Sequence, residues 1–264
     1  MKSYKTILLV ITFMAVSISS FAWWGQNGHR IVGEIADSYL NSKTRKAISD
    51  ILGTESIAMT SNWADFIKSD SSYNYLNPWH YINVKQGLSR TEFNTILQND
   101  TATDAYTKLN FLITELKNQQ LPLEKKRMYL RLLIHIAGDI HQPLHAGRFE
   151  DLGGNRIRVL WFGDSTNLHS VWDDKLIESQ HLSYTEYVKA INHSTKEQRK
   201  QWQQQPINEW FYESYQLAGK IYSSITQPHQ RLSFRYNFDH IDIVNSQLLK
   251  AGIRLAGLLN SIFG

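Results

Sequence analysis

A single, mainly α-helical domain with one short β hairpin or extended arm is the fold that this 264-residue sequence predicts. Three observations carry that expectation. Apolar residues recur at alternating three- and four-residue steps along much of the chain; no linker, repeat or low-complexity tract divides it; and one stretch stands out as strand-like against this helical background.

Residues 1–23 come first and are read as lying outside the domain. Lys2 and Lys5 precede an apolar run from Ile7 to Val16, and the tract Ser17-Ile18-Ser19-Ser20-Phe21-Ala22 follows. That is the three-part layout of a secretory signal peptide, and the run is too short for a convincing transmembrane helix. Small residues at Ser20 and Ala22 favour cleavage before Trp23, with a cut one residue later as the alternative. The expected mature domain is 24–264, exported to the periplasm or secreted, with no membrane attachment after processing.

The helices follow in order. From His29 to Leu40, Ile31, Val32, Ile35, Ala36 and Tyr39 share one face. Similar periodicity marks Tyr106 to Leu116, Lys125 to Ile140, Tyr184 to Ile191 and Trp210 to Ile225. Near the end, Ile241, Val244, Leu248, Ala251, Leu255 and Leu258 line a last helix. The strand-like stretch is Arg156-Ile157-Arg158-Val159-Leu160-Trp161-Phe162, framed by Gly153-Gly154 and Gly163.

Composition narrows the chemistry. Hydrophobic residues make up 42% and aromatics 12%, enough for a core without covalent staples. There is no cysteine, so disulfides and thiolate metal sites are excluded, and any metal must be held by His, Asp, Glu or backbone atoms. The formal charge is +4; removing the two lysines of residues 1–23, which contain no acid, leaves +2. Bulk charge that weak is no argument for a nucleic-acid partner.

Titratable residues concentrate in LLIHIAGDIHQPLHAG. His135 and Asp139 are four apart on a helix and share a face; Gln142-Pro143 ends the helix, and His145 follows on the turn. Downstream, NLHSVWDDK repeats the spacing with His169 and Asp173, while Asp174 at i+5 points away. Upstream, NPWHYIN holds His80 among aromatics and SNWADFIKSD holds Asp65. With His29, these make eight nitrogen and oxygen donors. Zinc accepts such a mixture, and eight donors imply more than one ion.

The ordered series WGQNGH, WADFIK, WHYIN, LLIHIAGDIHQPLHAG, DLGGNRI, NLHSVWD and WFYESYQLA resembles the zinc-dependent, single-strand-specific nucleases and 3'-nucleotidases of the S1/P1 type, which are distantly similar to bacterial zinc phospholipase C. The resemblance spans essentially the whole mature chain. It implies three zinc ions. Asp65, His80 and His135 would hold one; Asp139 would bridge it to a second, completed by His29 and by Trp24, whose free amine and carbonyl would bind as the mature terminus; His145, His169 and Asp173 would hold the third. His141 has no ligand role in the motif and is expected behind the cluster.

The same resemblance implies the reaction. A water shared by two zincs attacks phosphorus in line, Asp65 orients it, and the third zinc takes the departing 3' oxygen, giving 5'-phosphorylated products. Lys68 stands where the fungal enzymes carry a transition-state arginine; it keeps the charge but not the bidentate fork. Tyr81 would stack on the base, with Asn83, Leu152 and Asn155 lining the pocket. Single-stranded DNA, RNA and 3'-nucleotides are the implied substrates, the chain acting as a monomer without a stable protein partner. A zinc phospholipase and a non-catalytic zinc-binding protein are the alternatives; the phospholipases carry Glu at the position of Asp173 and a longer gap between terminal Trp and His. The lack of cysteine departs from the disulfide-containing fungal relatives.

Overall fold

The computed structural model describes residues 25–264. The expected signal segment 1–23 and Trp24 lie outside the described residues.

The chain runs α1 (Gln26–Ser38), α2 (Ser42–Leu52), α3 (Ile57–Thr60) and α4 (Trp63–Phe66), then a 3₁₀ stretch, Ser71–His80, into the two-residue strand β1 (Ile82–Asn83). Next come α5 (Arg90–Gln98), α6 (Ala105–Leu116) and α7 (Leu123–Asp139), followed by a 3₁₀ turn, Pro143–His145, and β2 (Ala146–Gly147). The β3 (Arg158–Trp161) and β4 (Asp164–Asn167) hairpin leads into α8 (Leu168–Ser170), a π turn over Val171–Lys175, and α9 (Leu176–Glu178). The remainder is α10 (Tyr184–Ile191), α11 (Lys196–Gln204), α12 (Ile207–Ser223), β5 (Gln230–Leu232) and α13 (Phe234–Phe263).

Local chemistry sets the helix starts. Ser89 and Glu92 form a reciprocal capping box for α5, as do Ser183 and Glu186 for α10 and Thr195 and Gln198 for α11. Pro122, with φ −56°, sits before the first turn of α7, where a missing N–H costs nothing.

The 30-residue α13, roughly 45 Å at 1.5 Å per residue, is the spine against which α1, α2, α7, α9 and α11 pack. Its contact with α1 depends on Gly252: a Cβ there would fall 2.5 Å from Ile35 Cβ. On its other side α1 meets α3 through Gly33, whose added Cβ would lie 2.7 Å from Ala58 Cα. These close approaches draw α1, and with it His29, down onto α7.

The expected hairpin is present, with Arg158 opposite Asn167 and Trp161 opposite Asp164, and β5 adds to β3 in parallel. A second pair, β1 with β2, was not foreseen: Ile82 pairs with Ala146 and Asn83 with Gly147. This short parallel pair joins the segment after His80 to the segment after His145. Among the described residues no helix is long and apolar enough to cross a membrane.

Candidate metal centre

Asp139, the last residue of α7 and fully buried, sits among four histidines. Its Oδ2 is 2.8 Å from His80 Nδ1 and 3.1 Å from His135 Nε2; its Oδ1 is 3.4 Å from His29 Nε2 and 3.6 Å from His145 Nδ1. The helical spacing brings His135 beside Asp139. Helix packing brings His29, whose ring stacks on His135 with centroids 3.9 Å apart. Gly138 makes room, since a Cβ there would press to 3.0 Å from His29 Nδ1.

Asp65, on the short α4, closes one side. Its Oδ1 is 3.5 Å from His135 Nε2 and its Oδ2 is 3.9 Å from His29 Nε2. His145 and His169 stack with centroids 5.0 Å apart and both face Asp173, at 3.4 Å and 3.1 Å. Three sets therefore have ligand atoms close enough to surround an ion: His29, Asp65 and His135; His80, His135 and Asp139; and His145, His169 and Asp173.

Several rings are held from behind. His135 donates Nδ1–H to the Ser61 carbonyl at 2.6 Å, His145 to the His80 carbonyl at 2.7 Å and His169 to the Gly153 carbonyl at 2.6 Å. Each bond leaves Nε2 as the ring nitrogen facing a carboxylate, which is how an outer partner selects a liganding tautomer. Gln142 donates from Nε2 to Asp173 Oδ1, while its Oε1 accepts from Leu144 N. Ser61, Gln142 and Gly153 were not among the expected site residues. Gly153-Gly154 advertises a left-handed turn and Gln142-Pro143 a turn start; a carbonyl such as that of Ser61 leaves no mark in a sequence.

Electrostatics follows from this crowding. Burial presses His80 down to about 3, with Lys68 adding to the effect. Burial likewise opposes a charge on His145, but Asp139 and Asp173 outweigh it and raise the ring to about 9. Burial would raise Asp173, yet His169 and His145 hold it at about 2. Both ring nitrogens of His29, Asp139 Oδ1 and Asp173 Oδ2 are buried and make no well-formed hydrogen bond. Polar atoms buried without such bonds are costly, and a cation among them removes the penalty. The site therefore fits metal, with the N/O donor set zinc accepts.

Of the other expected residues, Lys68 contacts the centre directly, and Tyr81, Asn83, Leu152 and Asn155 lie on segments that adjoin its ligands. Lys68 is no solvated surface lysine: its side chain is 16% exposed, its Nζ lies 2.6 Å from Asp65 Oδ1, and burial pulls its ammonium down to about 8 despite that neighbour. Tyr81, next to His80, is exposed, and Asn83 pairs in β1 with Gly147. Gly147 packs on Gly153, where a Cβ would meet Gly153 Cα at 2.6 Å, so Asn83 and the Leu152–Asn155 turn share one neighbourhood. In that turn Leu152 is exposed at φ +54°, Asn155 donates to its carbonyl, and Asp151 accepts from Gly154 N. His141 faces the other way. It donates to Ala137 O and accepts from Arg254 at 2.9 Å, and burial with the Arg254 charge keeps it neutral. Asp174 lies against Gly25 rather than in a cluster, and Gly25 N donates to Asp173 O at 2.7 Å.

Comparison with known proteins agrees along the whole domain. The family profile described as S1/P1 Nuclease matches residues 24–264. The chain is 30% identical to Endonuclease 3 of Arabidopsis thaliana, across 99% of this chain and 96% of that protein. It is similar to Nuclease S1 of Aspergillus oryzae, 30% identical across 67% of this chain and 63% of that protein, and to Nuclease P1 of Penicillium citrinum, 27% identical across 91% and 98%.

Proposed function

The chain belongs to the S1/P1 nuclease family, and from that membership we propose that it is an exported zinc-dependent nuclease. It hydrolyses phosphodiester bonds of RNA and single-stranded DNA to 5'-phosphorylated products and removes phosphate from 3'-nucleotides. The observation that carries this reading is the trio of His/Asp sets, buried except at Asp65, that gather around Asp139.

On the family's pattern Asp65, His80 and His135 would hold one zinc, Asp139 would be shared with a second that His29 and Trp24 would complete, and His145, His169 and Asp173 would hold a third. Zinc in such a site lowers the pKa of a water toward neutrality and neutralises charge on phosphate oxygens. The protein supplies the rest. Asp65 is more exposed than the other two carboxylates of the sets, at 22%, and can accept a hydrogen bond from an incoming water. Lys68 beside it carries positive charge to the phosphate as negative charge develops. Tyr81 offers a ring face next to His80, and a base can reach it only by leaving its stack, which favours single strands. Asn83 both donates and accepts, and together with Leu152 and Asn155 it borders the base.

The test is to offer the zinc-replete protein single-stranded DNA, RNA, 3'-AMP and phosphatidylcholine. Turnover of the two polymers and 3'-AMP is expected. Turnover of lipid alone would make it a phospholipase, and zinc binding without turnover of any substrate would make it a zinc-binding protein. N-terminal sequencing of the exported chain tests the terminal ligand: Trp24 first is expected from its five-residue spacing to His29, and Trp23 first, the cut that Ser20 and Ala22 favour, would contradict it.

A further inference from the structure

A line of six aromatic rings crosses from α4, which carries Asp65, to α7, which carries His135 and Asp139. Trp63 meets Tyr73 with centroids 5.9 Å apart, Tyr73 stacks on Tyr75 at 6.3 Å, and Tyr75 meets Trp79 at 6.1 Å. Trp79 then meets Phe111 of α6 at 6.4 Å, and Phe111 meets Tyr129 of α7 at 5.5 Å. Trp79 is buried and acts as the wall; Tyr75 and Phe111 are 53% and 37% exposed. Two of the rings stand on the segments that carry site residues: Trp63 is two residues before Asp65 and Trp79 immediately before His80.

Cations are interleaved with the rings. Lys108 Nζ lies 5.1 Å from the Trp79 ring and 5.5 Å from that of Phe111, and the Arg131 guanidinium lies 5.3 Å from Trp63. A cleft of about 310 Å³ opens between Trp63 and Tyr73 and the start of α7, walled by Lys125, Arg127 and Arg131. Glu124 neutralises Arg127 and Glu55 neutralises Arg131, whereas no ion pair among the described residues involves Lys108 or Lys125. Lys108 and Lys125 thus add to the aromatic face two cations unpaired among the described residues, against one further carboxylate, Glu115, near Tyr129.

We propose that this aromatic ladder is a strand-binding track that extends the nuclease site, receiving nucleotides of a single-stranded substrate beyond the one held at the metals. The proposal rests on the nuclease reading above. Its chemistry is that of sequence-tolerant single-strand binding: ring faces that accept any base, and cations that follow the backbone phosphates. A core edge needs only the rings. The interleaved lysine and arginine, on segments that also carry Asp65 and His80, point to a polyanion. Tyr75 and Phe111 are the platforms; Lys108 is the phosphate contact between them.

Steady-state kinetics of the full, zinc-loaded chain decides it, with a long single-stranded DNA oligonucleotide and 3'-AMP as parallel substrates. Tyr75→Ala and Phe111→Ala should each raise KM for the oligonucleotide about tenfold with kcat unchanged, and leave both constants for 3'-AMP unchanged. Lys108→Gln should raise the same KM and flatten its salt dependence by about 0.7 in the log–log slope. Zinc content equal to wild type certifies the fold of each variant. An unchanged oligonucleotide KM in all three, or an equal rise for 3'-AMP, overturns the track while leaving the nuclease reading intact. Failure of the wild type on both substrates overturns the two together.

Discussion

Asp139 concentrates the consequences of a single side chain. Its carboxylate lies within 3.6 Å of nitrogens from four histidines and is fully buried. Asp139→Asn keeps the shape but removes the charge. The expected result is loss of two zinc ions together, counted by elemental analysis of the purified protein; retention of three contradicts the bridge. Gln142 acts on another residue. It orients Asp173 by one hydrogen bond, and removing such a partner commonly weakens metal affinity by about 10–100-fold. Gln142→Ala should therefore weaken zinc binding by that order in competition with a chromophoric chelator, with little change in the affinity of the other two ions.

At the level of elements, the ligands sit where helices and turns end or approach one another. Asp139 closes α7, Asp65 sits on one turn of helix, and His145 ends a 3₁₀ turn. Asp173 lies on a π turn, which still leaves its Oδ2 3.1 Å from His169 Nε2. The turn at Gly153 is the element most exposed to substitution. Its φ is +63°, its carbonyl accepts from His169, and an added Cβ would fall 2.5 Å from the Leu144 carbonyl oxygen. Gly153→Ala should cost about 1–3 kcal/mol from backbone strain alone, seen as a melting temperature lower by several degrees, and should weaken zinc binding at the proposed His145, His169 and Asp173 site. An unchanged melting temperature would show that the turn relaxes freely. The helices legible in the sequence were those with a continuous apolar face, such as α7 and α13. The helices α2, α5 and α11 were not singled out. The last of these, KEQRKQWQQ, buries no residue fully, and its capping box, not its periodicity, was its readable signal.

At the scale of the whole molecule, metal and fold are linked. Without ions the interior holds five His rings and three carboxylates in contact, and no disulfide is available to offset that strain. EDTA should lower the melting temperature markedly, since a ligand at a thousandfold excess over its Kd stabilises by about 4 kcal/mol per site; an unshifted melting curve would deny the link. The pH dependence has a definite sign. In the metal-free chain His145 is raised to about 9, so its proton stabilises the fold fully below the ordinary imidazole value near 6.5 and that contribution is lost as pH rises through 9. Zinc must displace this proton. Affinity at the His145 set should therefore climb from pH 6.5 to 9, by up to about tenfold per unit, in metal titrations at fixed ionic strength. Asp173, held at about 2, gives stability present above the ordinary carboxylate value and lost as pH falls toward 2.

The sequence by itself determined the helical class, the absence of thiol chemistry and the pairing of His135 with Asp139 and of His169 with Asp173, because i, i+4 spacing and composition are local facts, whereas His29, Asp65, His80 and His145 were candidates only through the ordered series of motifs. Tertiary structure decided which donors meet. His29 reaches Asp139 because glycines 33, 138 and 252 let α1 close on α3, α7 and α13, and Asn83 reaches the Leu152–Asn155 turn through the parallel pairing of β1 with β2. The orienting carbonyls of Ser61, His80 and Gly153 belong to the same class: every residue has a carbonyl, and only packing says which one faces a histidine.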